Sequence, residues 1–189
     1  MTSRLVTIYT LPSLLSSLAS GTPPAPFQNR ESSLKYLTRA VSCMPTDTIY
    51  ATSSIEGRVA VEFFDEDPAV QARKYAFKCH RQPDANAGGD VVYPVNALVF
   101  HPGYGTFATG GGDGYVALWD AEAKRRMKQY QRFPDSVAAL AFSSGGRYLA
   151  VAVCPGFETG QAEYSGEGGK TRIFVRELGE AEAKPKGAK

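Results

Sequence analysis

Few residues in this chain have side chains that could do chemistry. It has only two histidines, His80 and His101, and three widely spaced cysteines, Cys43, Cys79 and Cys154. A hydrolytic centre would need a His beside a Ser or Cys and an Asp, and no G-x-S-x-G elbow is present. Cys79 stands next to His80 without a second ligand pair nearby, so no metal is expected. Thr109-Gly110-Gly111-Gly112-Asp113-Gly114 lacks the Lys-Ser/Thr ending of a phosphate-binding loop. The expectation is a non-enzyme without a cofactor. The cysteines show no CxxC spacing and cannot all pair with one another, which fits a reducing compartment.

What remains is positive charge: Arg39, Arg73-Lys74, Lys78, Arg81, the run Lys124-Arg125-Arg126-Lys128, and Lys184, Lys186 and Lys189 near the end. Such clusters are ordinarily solvated strand ends and loops. Arg39 differs because it precedes an apolar strand, where an arginine can hold a phosphate with two parallel hydrogen bonds. The net charge of +2 does not by itself call for nucleic acid.

The elements that would carry these residues emerge from self-similarity. Ala51-Thr52-Ser53-Ser54-Ile55-Glu56-Gly57 aligns without a gap on Ala108-Thr109-Gly110-Gly111-Gly112-Asp113-Gly114, and the same offset of 57 pairs Ala40 with Ala97 and Pro45 with Pro102. A third copy follows at an offset of 42, where Ala139-Leu140-Ala141-Phe142 echoes Ala97-Leu98-Val99-Phe100. The middle unit reads as strands Val95–Phe100, Thr106–Thr109, Tyr115–Trp119 and an outer strand near Lys128–Phe133. Asp113-Gly114 and Glu56-Gly57 supply hairpin turns. Insertions are expected as loops at Gln82 to Asp90 and at Pro155 to Gly169, the latter before a strand Thr171 to Val175.

A 42-residue period of four short strands, the third closed by Trp119-Asp120, is the pattern of a WD40 β-propeller blade. In that architecture His80, Thr109, Asp113 and Trp119 occupy the places of a buried hydrogen-bonded tetrad, a packing device and not a catalytic one. The fold class expected is therefore all-β: about three blades and a leading strand of an incomplete ring. Residues 1–11 are expected as the closing strand of a preceding blade, 12–29 as a Pro/Ser-rich loop, 30–178 as three blades and 179–189 as a charged flexible tail. Arg4 followed by Leu5 to Tyr9 and then Leu14 to Gly21 imitates a secretory signal, but Pro12 and the serines interrupt the apolar run. It is too short to span a bilayer, and no membrane partner is expected.

Four blocks carry a family resemblance: Arg30-Glu31-Ser32-Ser33-Leu34-Lys35-Tyr36, Ser53 to Glu62, Lys74 to Arg81, and Tyr93-Pro94-Val95-Asn96-Ala97. In family order and without gaps, they resemble the mitotic spindle-checkpoint propellers of the Bub-three family. The Phe77-Lys78-Cys79-His80-Arg81 block is shared with the mRNA-export propeller of the nuclear pore.

This resemblance implies a seven-bladed adaptor in the nucleus, at the kinetochore and in the cytoplasm. It would bind phosphothreonine motifs of a kinetochore scaffold protein and a segment of the checkpoint kinases. Arg39, Arg73 and the adjacent Lys74 fall on the family's phosphothreonine-contacting positions. Ala69 replaces an acidic residue that helps hold the kinase segment. Nucleoporin or ubiquitin-binding partners are left open, and no direct contact with nucleic acid is expected.

Overall fold

Fifteen strands and two short helices are seen in the computed structural model, which describes residues 4–84, 88–156 and 171–185. The first pair, β1 (Leu5–Ile8) and β2 (Gln28–Glu31), forms an antiparallel ribbon in register Leu5↔Glu31 to Ile8↔Gln28. Arg4 fastens its end by donating to the carbonyls of Ser32 (2.6 Å) and Leu34 (3.2 Å). The expected closing strand thus ends at Ile8 and already has a partner.

Residues 12–29 are not the expected loop. Helix α1 (Leu11–Ser20) fills the first half of the segment: the Thr10 side chain accepts from the Ser13 backbone, and Gly21, left-handed at φ 68°, ends it. Pro12 does not interrupt the helix, because the first turn leaves amides unpaired whatever residue stands there. None of the residues of α1 is buried. The boundary expected at 30 falls inside β2.

Blade one has the order β3 (Thr38–Cys43), β4 (Ile49–Ser54), β5 (Arg58–Phe63) and β6 (Tyr75–Lys78), with helix α2 (Pro68–Gln71) between its last two strands. The expected insertion after it is a two-stranded hairpin, β7 (Arg81–Asp84) and β8 (Gly89–Val92), although residues 85–87 lie outside the description. Blade two runs β9 (Val95–Phe100), β10 (Thr106–Gly111), β11 (Val116–Asp120) and β12 (Arg125–Gln129). Its outer strand starts three residues earlier than expected, because Lys124 takes the left-handed conformation (φ 54°) and turns the chain at once. Blade three has three strands among the described residues: β13 (Ser136–Phe142), β14 (Tyr148–Cys154) and β15 (Arg172–Glu177). Most of the insertion expected before β15 lies outside them.

The strands alternate or bury completely according to their neighbours. In β14, Leu149, Val151 and Val153 face inward at 0–2% exposure while Ala150 and Ala152 between them are partly exposed. All six residues of β4 and of β10 are buried, because blades pack on both faces of the sheets. Two apolar clusters fill the wedges between blades. One joins Ala51, Val59 and Val61 to Val95, Leu98 and Phe107. The other joins Val116 and Leu118 to Val137, Leu149 and Val151.

The second cluster also holds Leu178 and Ala183, which corrects the expectation of a flexible tail from 179. Thr106 donates its hydroxyl to the Ala183 carbonyl at 2.8 Å. Glu182 receives Tyr130 Oη at 2.6 Å and pairs with Lys128 at 3.1 Å and Arg176 at 3.2 Å. Residues 179–185 are therefore clamped onto the second and third blades, and residues 186–189, with Lys186 and Lys189, lie outside the description.

Candidate functional site

His80, Thr109, Asp113 and Trp119 meet between the first two blades. His80 follows β6 in a left-handed conformation (φ 50°), which turns its ring inward. Its Nδ1 lies 2.8 Å from Asp113 Oδ1 and its Nε2 lies 2.9 Å from Thr109 Oγ1. The indole of Trp119 donates to the same hydroxyl at 2.9 Å. Trp119 can only donate to Thr109, and the Asp113 carboxylate can only accept from Nδ1 of His80, so the chain of contacts runs unbroken from the indole to the carboxylate.

Asp113 also accepts from Tyr115 N and from Gln82 Nε2. Its backbone is not left-handed, so the hairpin turn rests on Gly114 alone (φ 78°). The neighbouring Cys79 is buried, and that burial raises its thiol pKa to about 12, so it is neither a nucleophile nor a thiolate ligand near neutral pH. Among the described residues no group of three His, Cys, Asp or Glu is placed to hold a metal ion. The four residues hold two blades together through side-chain hydrogen bonds.

The glycines of the Thr109 to Gly114 run pack closely against neighbours. A methyl group on Gly111 would stand 2.4 Å from His80 Nδ1, and one on Gly110 would stand 2.3 Å from Val137 Cγ1. Side chains at either place would push the blades apart.

Arg39 lies at the start of β3 and is exposed. The β3–β4 register passes from Thr38↔Ser54 to Ala40↔Ser53, leaving Arg39 as the extra residue of a β-bulge. The β9–β10 register skips Asn96 between Ala97↔Gly110 and Val95↔Gly111, and the β13–β14 register skips Ala138 between Val137↔Val153 and Ala139↔Ala152. Residues 39, 96 and 138 are equivalents under the offsets of 57 and 42. Each innermost strand is therefore bulged at the same repeat position, and bulges re-aim a side chain out of the ladder. Arg39 donates from Nη2 to Asn96 Oδ1 at 2.9 Å, and Asn96 donates from Nδ2 to Ser136 Oγ and the Val137 carbonyl, each at 3.2 Å. A polar row crosses three blades at one end of their inner strands.

Arg73 and Lys74 are not part of that row. They lie in the connection from β5 to β6, beside the Phe63 end of the blade, with the Arg73 guanidinium over the Phe63 ring at 4.8 Å. Phe63 pairs with Ile49, whereas the Arg39 end is marked by Thr38↔Ser54. The five steps along β4 from Ile49 to Ser54 put the two ends about 17 Å apart. One phosphate cannot span Arg39 and Arg73 within this blade, so the expected pairing is corrected. Lys74 instead lines a cleft of about 540 Å³ with Arg30, Tyr50, Glu62, Glu66 and Gln71. Ala69 is exposed on α2, and the acidic run Asp65-Glu66-Asp67 immediately precedes that helix.

Sequence reasoning missed Asn96 and Ser136, although applying the repeat offsets to Arg39 leads directly to Asn96. It also missed Glu182, for which nothing in the local pattern gives a signal.

Residues 88–120 match the family model described as WD domain, G-beta repeat. Over 85% of its length the chain is 56% identical to "Mitotic checkpoint protein BUB3.1" of Arabidopsis thaliana, covering 46% of that protein. The chain is a WD40-repeat protein similar to the Bub-three checkpoint proteins. The Dictyostelium discoideum "Mitotic checkpoint protein bub3" is 45% identical over 80% of the chain and 44% of its own length. The "mRNA export factor GLE2" of Chaetomium thermophilum is more distant, at 34% over 85% of the chain and 44% of its own length. The chain spans less than half the length of these curated relatives.

Proposed function

We propose that this protein is a mitotic-checkpoint adaptor that recognises a phosphothreonine motif of a kinetochore scaffold protein through Arg39 and brings checkpoint kinases to it. The observation that carries the reading is the bulge: Arg39 stands outside the strand ladder, exposed, with one face of its guanidinium fork held by Asn96. Such a fork suits a phosphate, which it meets with charge-assisted hydrogen bonds worth about 1.5–3 kcal/mol each. The kinase-binding part rests on the family resemblance, which implies an acidic residue near Ala69, and the acidic run before α2 offers carboxylates there.

The test is fluorescence anisotropy of a labelled kinetochore phosphothreonine peptide and of its unphosphorylated twin against the whole chain. Arg39→Ala should weaken the phosphopeptide about 10- to 100-fold, in keeping with the loss of one or two such bonds. Arg73→Ala, at the other end of the blade, should leave it unchanged. Equal affinity of the parent and Arg39→Ala would sink the assignment.

A second reading, an mRNA-export factor that docks on a nucleoporin, is favoured by the similarity to the export factor and by the shared Phe77 to Arg81 block. Recovery of a nucleoporin without checkpoint kinases from mitotic extract would reverse the ranking.

A further inference from the structure

Arg39 belongs to a longer hydrogen-bonded chain, and the polarity of that chain is fixed by its far end. The Val137 carbonyl can only accept a hydrogen bond, so the Asn96 atom facing it at 3.2 Å must be the amide nitrogen. The Asn96 oxygen is thereby turned toward Arg39, which can only donate. Ser136, 8% exposed, takes the second proton of the same amide at 3.2 Å. Both hydrogens of the amide nitrogen are therefore held by blade three while the amide oxygen grips an arginine of blade one.

We infer that Asn96 is the positioning residue of the phosphate-reading Arg39, and that Ser136 with the Val137 backbone sets its amide. This inference rests on the reading of Arg39 as the phosphate contact and adds how an exposed side chain is kept in one place. A free arginine loses several rotatable bonds' worth of entropy when it closes on an anion. Holding one Nη2 hydrogen in advance leaves the remaining donors of the fork presented outward and lowers that cost. It also ties the site to the packing of three consecutive blades, since Arg39, Asn96 and Ser136 come from β3, β9 and β13.

Two measurements test the inference separately. The first needs no ligand: ¹⁵N relaxation of the Arg39 Nε–Hε group in the whole chain. In the parent it should be nearly as ordered as the backbone, in Asn96→Ala it should become mobile, and in Ser136→Ala it should fall between. Equal order in the parent and Asn96→Ala would overturn the positioning role.

The second is phosphothreonine-peptide affinity. Asn96→Ala should weaken binding about 3- to 10-fold without changing the unphosphorylated peptide, and Arg39→Ala/Asn96→Ala should bind no more weakly than Arg39→Ala alone. Asn96→Asp should weaken it further than Asn96→Ala, because its carboxylate would neutralise the guanidinium and oppose the Val137 carbonyl. If Arg39→Ala does weaken the phosphopeptide and Asn96→Ala does not, the inference fails while the phosphate reading stands. If Arg39→Ala changes nothing, the phosphate reading fails, and the relaxation data still decide whether Asn96 holds Arg39.

Discussion

The indole of Trp119 reaches the imidazole of His80 only through the hydroxyl of Thr109, which lies 2.9 Å from each. Thr109→Val keeps the shape and removes both hydrogen bonds, leaving a buried ring nitrogen and an indole N–H without partners. The expected loss is about 2–4 kcal/mol at a cost of about 1–3 kcal/mol for each buried polar group. Thr109→Ser should retain most of the stability. Urea unfolding midpoints of the two variants check this, and a Thr109→Val midpoint equal to that of Thr109→Ser would show that the hydrogen bonds contribute nothing.

Glu182 carries a pH signature. Burial pushes its carboxyl pKa up, but hydrogen bonds from Tyr130, Arg176, Lys128 and the Gly179 amide outweigh burial and hold it at about 2. A depressed carboxylate contributes stability above its unfolded value, and that contribution is lost as pH falls through about 2. The parent should therefore lose part of its thermal stability between about pH 5 and pH 2, and Glu182→Gln should show a shallower decline. Glu182→Gln should also melt lower at pH 7, by the equivalent of about 2 kcal/mol for the weakened charge-assisted bonds. Parallel melting curves from pH 7 to pH 2 would contradict the assignment.

His101 works with the opposite charge type. It is 5% exposed, accepts from the Gly103 amide at Nδ1 (3.1 Å) and contacts the Gly146 carbonyl through Nε2 (3.1 Å), so its neutral form carries the proton on Nε2. Burial lowers its pKa despite the Gly146 bond. The unfolded chain then binds the proton first, and stability present above the ordinary value near 6.5 declines as pH falls below it. His101→Gln should remove this component, measured as a flatter melting temperature between pH 7 and pH 5. A slope in that window no different from the parent's would refute it.

The same ring makes Gly146 irreplaceable. Gly146 is left-handed at φ 72°, and a Cβ there would lie 2.2 Å from His101 Nε2. Gly146→Ala should cost about 2–4 kcal/mol through backbone strain and overpacking together. Gly145→Ala, next to it with open space around the added methyl, should cost less than about 1 kcal/mol. Denaturation midpoints compare the two directly.

The propeller fold was legible because its blades are repeated. The tetrad occurs once, since Asp113 and Trp119 fall on Glu56 and Glu62 in the first unit, and it was read from the blade pattern around Trp119-Asp120 with His80 as the residue between blades. Segments that occur once were harder to read. The serines and Pro12 of α1 suggest a loop until the caps at Thr10 and Gly21 are considered together. The clamp on residues 179–185 depends on Glu182 meeting Tyr130, 52 positions away, a contact no local pattern encodes. For the candidate site, sequence reasoning found Arg39 but joined it to Arg73 through family resemblance. Strand register separates them, because inner strands start at one end of a blade while the β5–β6 connection lies at the other.

The bulges at residues 39, 96 and 138 have a consequence for how such repeats diverge. A residue that sits outside the ladder forms no cross-strand pair, so it can be exchanged without disturbing hydrogen bonds on either side. Arginine, asparagine and alanine occupy the three places here on an otherwise common frame. Each inner strand thus carries one interchangeable socket, and the recognition chemistry of the row can be rewritten one blade at a time while the sheets beneath stay the same.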